Sequence, residues 1–342
     1  MAISPNLFLV NLDKQFQGEL NKGLNHEEAL WAMKSRINWM IQGDRNTSFY
    51  HVSTLIRRKH NKILSIKDSQ GEWIFEQSAV MDFVQNHFRN LFSSEMLFSS
   101  RLASFSYTDL PHLSNSDVHT LSLPVLDDEI KNALCSLKPF KSPRPNGIHA
   151  GFYQRFWLLF KDSVINEIKK VFRERKVLAY LNQTHIALIP KIKGPETIKN
   201  YRPISLCNSI YKIISKIIVI RIRPHLDKLV SLFQTAFIPG RKGIDNTIIA
   251  QEIIHTIGRK SGKVGNLVIK IDLEKAYDKL EWSFIQDVPQ AANFPSKMIQ
   301  LIMSCVSSST TSILVNGGAL DPFLPSREIR QGNPLSPYLF IL

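Results

Sequence analysis

Cysteine is scarce in this 342-residue chain: Cys135, Cys207 and Cys305 are odd in number, widely spaced and form no C-x-x-C pair. That excludes a disulfide framework, gives no zinc-site spacing and points to a reducing, intracellular compartment. No apolar run approaches the roughly 20 residues needed to cross a bilayer. The opening MAISPNLFLV lacks a basic n-region and a small-residue cleavage pattern, so neither membrane insertion nor export is indicated. No internal repeat is visible. Acidic residues are also the minority, 29 against 43 Lys and Arg, for a formal charge of +14 and a pI near 9.6. A cation surplus of that size favours a polyanionic partner, nucleic acid first, because each basic side chain at a phosphate releases counterions. What is present in ordinary amount is hydrophobic residue, 44%, enough for a sizeable core. The length suits two domains, or one large domain with an extension.

The most informative stretch is Leu267 to Trp282, LVIKIDLEKAYDKLEW. An apolar, β-branched run closing on Asp272 predicts a buried strand whose carboxylate projects past the sheet edge, where Mg²⁺ binds hard oxygen ligands. Upstream, Asn25 with Glu28 resembles a capping box, and Ala29, Leu30, Met33, Ile37 and Met40 predict a helix over about 25–41. A second periodic segment carries Phe49, Val52, Leu55 and Ile56 on its apolar side and runs into Arg57, Arg58, Lys59, His60 and Lys62. Those cations read equally as a phosphate contact or as a solvated helix end. A short hairpin follows over Ile63–Ile66 and Trp73–Phe75, then a helix from Gln77 to Phe92. The Ser-rich residues 93–122 read as a connecting region and the best domain boundary. Acids at Asp127, Asp128 and Glu129 open another helix.

Basic loops recur beyond that boundary. In LKPFKSPRPNGIHAGFYQRFW, residues 137–157, three prolines enforce an extended loop lined by Lys138, Lys141 and Arg144, and Phe152, Tyr153, Phe156 and Trp157 follow. Cations interleaved with aromatics suit a single-stranded or hybrid nucleic acid; at this spacing most of the rings equally suit a core. HIALIP, 185–190, and Tyr201–Leu206 predict a basic hairpin able to hold a triphosphate. Ser209 to about Arg223 predicts a core helix ended by Pro224, and Asn246–Ile257 an amphipathic one. Asn316-Gly317 predicts a hairpin between Ser309–Val315 and Pro322–Arg330. The closing run YLFIL reads as the inside of a helix.

In order, KSPRPNGIHAGFYQRFW, IALIPKIKGPETIKNYRPISLCNSIYKIISKII, FIPGRKGIDN, LVIKIDLEKAYDKLEW and REIRQGNPLSPYLF resemble the successive blocks of reverse transcriptases from non-long-terminal-repeat (LINE-type) retrotransposons, including copies abundant in plant genomes. The resemblance implies an α+β fold, with fingers and a partial palm of the right-hand polymerase type over 123–342 and a mainly helical extension over 1–122. It implies Asp272 as a catalytic, metal-binding carboxylate for Mg²⁺. Lys191 and Arg202 become cations on the triphosphate, Tyr277 the residue under the incoming sugar, and Gln331 and Gly332 nucleotide contacts. The implied partners are an RNA template, a DNA primer and deoxynucleoside triphosphates, in nucleus or cytoplasm. Three departures stand out: Arg144, Asn146 and Asn333 occupy positions where the family usually has Gly, Asp and Asp. An Ala-Asp-Asp block, expected downstream, is absent from the chain as given. The reading is therefore a polymerase domain fragment inactive by itself, with a non-catalytic nucleic-acid-binding remnant as the alternative.

Overall fold

The computed structural model describes residues 6–35, 37, 47–95, 111–141, 145–260 and 265–342. They fall into two compact units, Met1–Leu64 and Ser65–Leu342.

In the first unit, helix α1 (Leu7–Ser35) packs on α2 (Thr47–Asn61). The predicted helix over 25–41 is corrected at its start: α1 begins at Leu7, where the Asn6 carboxamide accepts the Phe8 N–H at 3.0 Å. The first half of α1 has little apolar periodicity, so nothing in its pattern announced it, and Asn25 lies mid-helix. The predicted apolar side of α2 is also corrected. Phe49, Val52, Leu55 and Ile56 are exposed, while Tyr50 and Thr54 are buried, because the position of α1 decides which face is covered. Arg57 is accounted for structurally: its guanidinium donates to the carbonyls of Ser35, at 2.7 Å, and Lys34. It thereby caps carbonyls that the end of α1 leaves unsatisfied.

The second unit opens with the small hairpin β1 (Ile66–Lys67) and β2 (Trp73–Ile74), whose turn is held by Asp68 accepting the N–H groups of Gln70 and Glu72. Helix α3 (Gln77–Leu91) buries Val80, Val84, Phe88 and Leu91, the spacing its sequence predicts. The region 93–122, read as connector, contains helix α4 (Asn115–Ser122). Ser114 and Asp117 form a reciprocal capping box, and Asp117 also takes Lys228 at 3.0 Å and His225 at 3.2 Å. The Ser114 hydroxyl and Lys228 hold the Asp117 carboxyl well below its ordinary range. The helix is short and mostly polar, so periodicity did not reveal it. Leu113 donates to the Ala292 carbonyl at 3.0 Å, and all described residues from 65 onward belong to this unit. The stretch set apart by sequence as 1–122 is thus divided between the two units.

Next come α5 (Asp127–Cys135), α6 (Ala150–Arg155), α7 (Trp157–Glu174), β3 (Gln183–Pro190), β4 (Tyr201–Cys207) and α8 (Ser209–Ile222). Helix α8 is the centre of the core: Tyr211, Ile213, Ile214, Ile217, Ile218 and Ile222 are essentially inaccessible. Pro224 ends it in a single 3-10 turn, as predicted. After α9 (Leu226–Leu229) and α10 (Gly243–Arg259) come α11 (Trp282–Ala291), α12 (Ser296–Ser307), β5 (Thr310–Val315), β6 (Gly318–Ala319) and α13 (Ser336–Ile341). The main sheet has the order β4-β3-β5-β6, with β3 and β5 parallel and the other pairs antiparallel. Asn316 and Gly317, at φ 52° and 94°, make the primed turn that the Asn-Gly pair predicts. The predicted strand over Pro322–Arg330 does not form: only isolated bridges, Thr311 with Phe323 and Glu281 with Arg327, remain. Pro322 and Pro325 have no N–H to give a ladder, and Glu328 turns to φ 108°.

Candidate functional site

The β3–β4 hairpin is regular from Thr184↔Cys207 to Pro190↔Tyr201. Ile186 and Leu188 face the core, which fixes the register and leaves Arg202, opposite Ile189, exposed. Lys191 continues the pairing by donating its N–H to the Asn200 carbonyl at 2.8 Å, and its exposed ammonium reaches the Lys199 carbonyl at 3.0 Å. Gly194, at φ 66°, and the Thr197–Asn200 cap close the basic loop. The hairpin therefore presents Lys191 and Arg202 together.

Gln331 and Gly332 are brought to the same strand. The Gln331 carbonyl accepts the Ser205 N–H of β4 at 2.7 Å. Gly332 has φ 103°, and a Cβ there would meet the Ser205 carbonyl oxygen at 3.0 Å; this turn admits glycine both for its dihedral and for its approach. Tyr277 is one step away in the hydrogen-bond chain, its carbonyl accepting the Ile329 N–H at 2.9 Å. Its ring is stacked on Phe340, with centroids 5.0 Å apart.

Asp272 is where the structure departs most from the sequence reading. Residues 265–273 form no strand, and Leu267, Val268, Ile269, Ile271 and Leu273 are exposed, as is Asp272 itself. β-branched composition predisposes a segment to pair but supplies no partner; among the described residues, no strand lies beside this one. The downstream half of the block is ordered by tertiary contacts instead. Glu328 donates its N–H to the Leu280 carbonyl, and the Trp282 indole donates to the Glu328 carbonyl at 2.9 Å. Asp278 is half-buried, and burial raises its pKa against the opposing pull of Lys275 and Lys191.

The carboxylates present do not fit a two-ion centre. Among the described residues no three His, Cys, Asp or Glu side chains converge, Asp272 stands alone, and Asp278 lies beside Lys275. Cations, by contrast, gather more densely than the sequence indicated. Burial first, then Lys275 and Lys199, pushes His87 of α3 down to about 4, so α3, the hairpin loop and the 275–279 turn share one basic neighbourhood. Lys199 and Lys275 were missed; Lys275 was legible only as one more residue of the Asp272 block.

Of the second predicted cluster, Lys138 and Lys141 are exposed on the loop after α5, and Arg144 lies outside the described residues. Tyr153 is buried and Trp157 packs against the core. Phe152 meets Phe156 and Phe160 in tilted ring contacts, with centroids 5.2 and 5.1 Å away. The aromatics after the loop therefore serve the protein interior and one another. No helix among the described residues is long and apolar enough to cross a membrane.

Residues 189–342 match the family model for reverse transcriptase (RNA-dependent DNA polymerase). The chain is 25% identical over 310 residues, 91% of its length and 24% of the relative's, to the transposon TX1 uncharacterized 149 kDa protein of Xenopus laevis. It is 27% identical over 156 residues, 45% of the chain and 14% of the relative, to the Pol polyprotein of the type-2 retrotransposable element R2DM of Drosophila melanogaster. It is likewise 27% identical over 231 residues, 66% of the chain and 21% of the relative, to that of the type-1 element R2 of Nasonia vitripennis. The matched block takes in the last two residues of β3, all of β4, the Asp272 segment and the Gln331–Gly332 turn, so residues 189–342 carry a reverse transcriptase domain. Similarity to the TX1 and R2 proteins supports a reverse transcriptase domain of the non-long-terminal-repeat retrotransposon kind. The chain spans no more than about a quarter of the length of these curated relatives.

Proposed function

We propose that this chain supplies the fingers and part of the palm of an RNA-directed DNA polymerase, over residues 123–342, and binds a deoxynucleoside triphosphate on β4. The observation that carries this is the docking of Gln331 and Gly332 on Ser205, beside a strand that presents Arg202 opposite the end bearing Lys191. A planar guanidinium and a flexible ammonium suit adjacent phosphates, one by its fork and the other as a point charge. The Gly332 backbone packs against Ser205 of the same strand, and Tyr277 lies under the sugar of the bound nucleotide. Mg²⁺ supplies charge neutralisation in this chemistry; since the carboxylates here do not fit a two-ion centre, no chemical step is assigned to it, and Asp272 remains its proposed ligand. Template-directed extension of a DNA primer on RNA is the deciding measurement. The chain alone is expected to bind a labelled deoxynucleotide, weakened at least tenfold by Lys191→Glu with Arg202→Glu, a loss of about 1.4 kcal/mol, and to extend no primer. Extension abolished by Asp272→Ala would overturn the claim of inactivity; nucleotide binding indifferent to the double charge reversal would overturn the site.

A second reading has its own support in the exposed Lys138 and Lys141: a non-catalytic remnant that holds RNA or DNA, in nucleus or cytoplasm. It expects RNA binding that is unchanged by Asp272→Ala.

A further inference from the structure

Arg330 is 3% exposed, and both terminal nitrogens of its guanidinium are engaged. Nη1 donates to the Asn182 carboxamide oxygen at 2.6 Å and to the Thr184 hydroxyl at 2.9 Å. Nη2 donates to the Cys305 carbonyl at 2.6 Å and to the Tyr211 hydroxyl. The planar group lies over the Tyr211 ring, 4.3 Å from its centroid. The partners are held in turn: Asn182 donates to the Cys305 carbonyl at 3.0 Å and to Ser308 at 2.9 Å. Tyr211 receives the Asn333 amide at 3.0 Å. One side chain thus joins β3 and the residue just before it, the first turn of α8 and the C-terminal end of α12.

No carboxylate hydrogen-bonds the guanidinium; the buried Glu328 acts on it only through space. Burying a cation without such a bond is costly, and an apolar side chain of similar size would fill the same space at less cost in desolvation. The arrangement does something that an apolar residue cannot: it fixes the backbone at residue 330 to three elements by directional bonds, immediately before Gln331 and Gly332. The next two residues need that fixity, because the Gly332 backbone lies so close to β4 that an added Cβ would stand 3.0 Å from the Ser205 carbonyl oxygen. A cation at the carbonyl end of α12 also complements the helix dipole.

We infer that Arg330 is the positioning residue that holds the Gln331–Gly332 turn against β4, and so sets the geometry in which a nucleotide meets Arg202 on that strand. The inference rests on the proposed nucleotide site for its use, but the positioning itself is measurable without any nucleotide. The Ser205 amide, whose N–H bonds the Gln331 carbonyl, is the reporter. In the full chain, Arg330→Lys and Tyr211→Phe are each expected to speed hydrogen exchange at Ser205 by about tenfold relative to the α3 amides, the loss of about 1.4 kcal/mol of local protection. Arg221→Met, which breaks the pair with Glu129, is a remote control that leaves Ser205 unchanged. The same two variants are expected to weaken binding of a fluorescent deoxyadenosine triphosphate analogue, and to add little further loss to Gln331→Ala. If Ser205 exchange is unaltered in folded Arg330→Lys and Tyr211→Phe, the inference is overturned. If Ser205 loosens as expected but wild-type protein binds no nucleotide, the nucleotide site fails and the positioning of the turn stands.

Discussion

Glu328 is the residue most at odds with its surroundings. It adopts φ 108°, a conformation that costs a non-glycine residue on the order of 1–3 kcal/mol, and its carboxylate is buried with Oε1 unpartnered among the described residues. Burial pushes its pKa up to about 8, with Asp278 adding to the shift and Arg330 opposing it. Because the folded-state pKa is raised, the native state binds more protons than the unfolded chain from about 4.5 to about 8. Stability from this group therefore falls as pH rises across that window. Glu328→Gly is expected to raise the urea midpoint, and to do so more at pH 8 than at pH 5. An equal or lower midpoint at pH 8 would show that the side chain has a stabilising partner. The Glu is visible in the sequence, but nothing local announces its dihedral; that is imposed by the contacts of its backbone with Leu280 and Trp282.

At the scale of elements, α8 and α10 are both isoleucine-rich, yet only one is buried. Ile214 on α8 is fully inaccessible, whereas Ile253 on α10 is 50% exposed, and α10 has no buried residue. Ile214→Ala is expected to cost about 2–5 kcal/mol through lost transfer energy and a residual cavity. Ile253→Ala should remain within about 0.5 kcal/mol; paired chemical denaturation curves make the comparison. The exposed run Leu267–Leu273 belongs with α10, and such an apolar, unpaired segment favours association between chains. Replacing Ile269 and Ile271 by threonine is expected to reduce concentration-dependent light scattering, while Tyr201→Thr, at a buried position of β4, is expected to destabilise rather than solubilise. Periodicity revealed α3, α5, α8 and the β3–β4 hairpin, because each buries the face that its pattern marks. It failed at α1, α4 and 322–330, where the deciding contacts are caps, prolines and distant partners.

For the whole molecule, the charge of +14 predicts salt-sensitive binding to single-stranded RNA. Each phosphate contact contributes about −0.7 to the slope of log K against log salt, so Lys138→Glu with Lys141→Glu is expected to make that slope shallower by about 1.4. A slope unchanged by both reversals would place the contact surface elsewhere. The compact units divide between Leu64 and Ser65, and the main core cluster consists wholly of residues beyond that point. A 65–342 fragment is accordingly expected to keep a cooperative thermal transition, checked by calorimetry; its loss would show that the helical hairpin of 1–64 is needed for folding.

The sequence by itself determined the class of this protein. The order of its blocks, the basic surplus, the hairpin bearing Lys191 and Arg202, and the Gln-Gly pair are local in the chain and needed no coordinates. Tertiary structure decided which of those pieces meet. It seated Gln331 and Gly332 on β4, enclosed Arg330 among three elements, gathered Lys199 and Lys275 about His87, and left Asp272 on an exposed, unpaired segment. The physical reason is that composition and period fix what a segment is able to pair with, while pairing, burial and close approach belong to the partner, which lies far away in sequence.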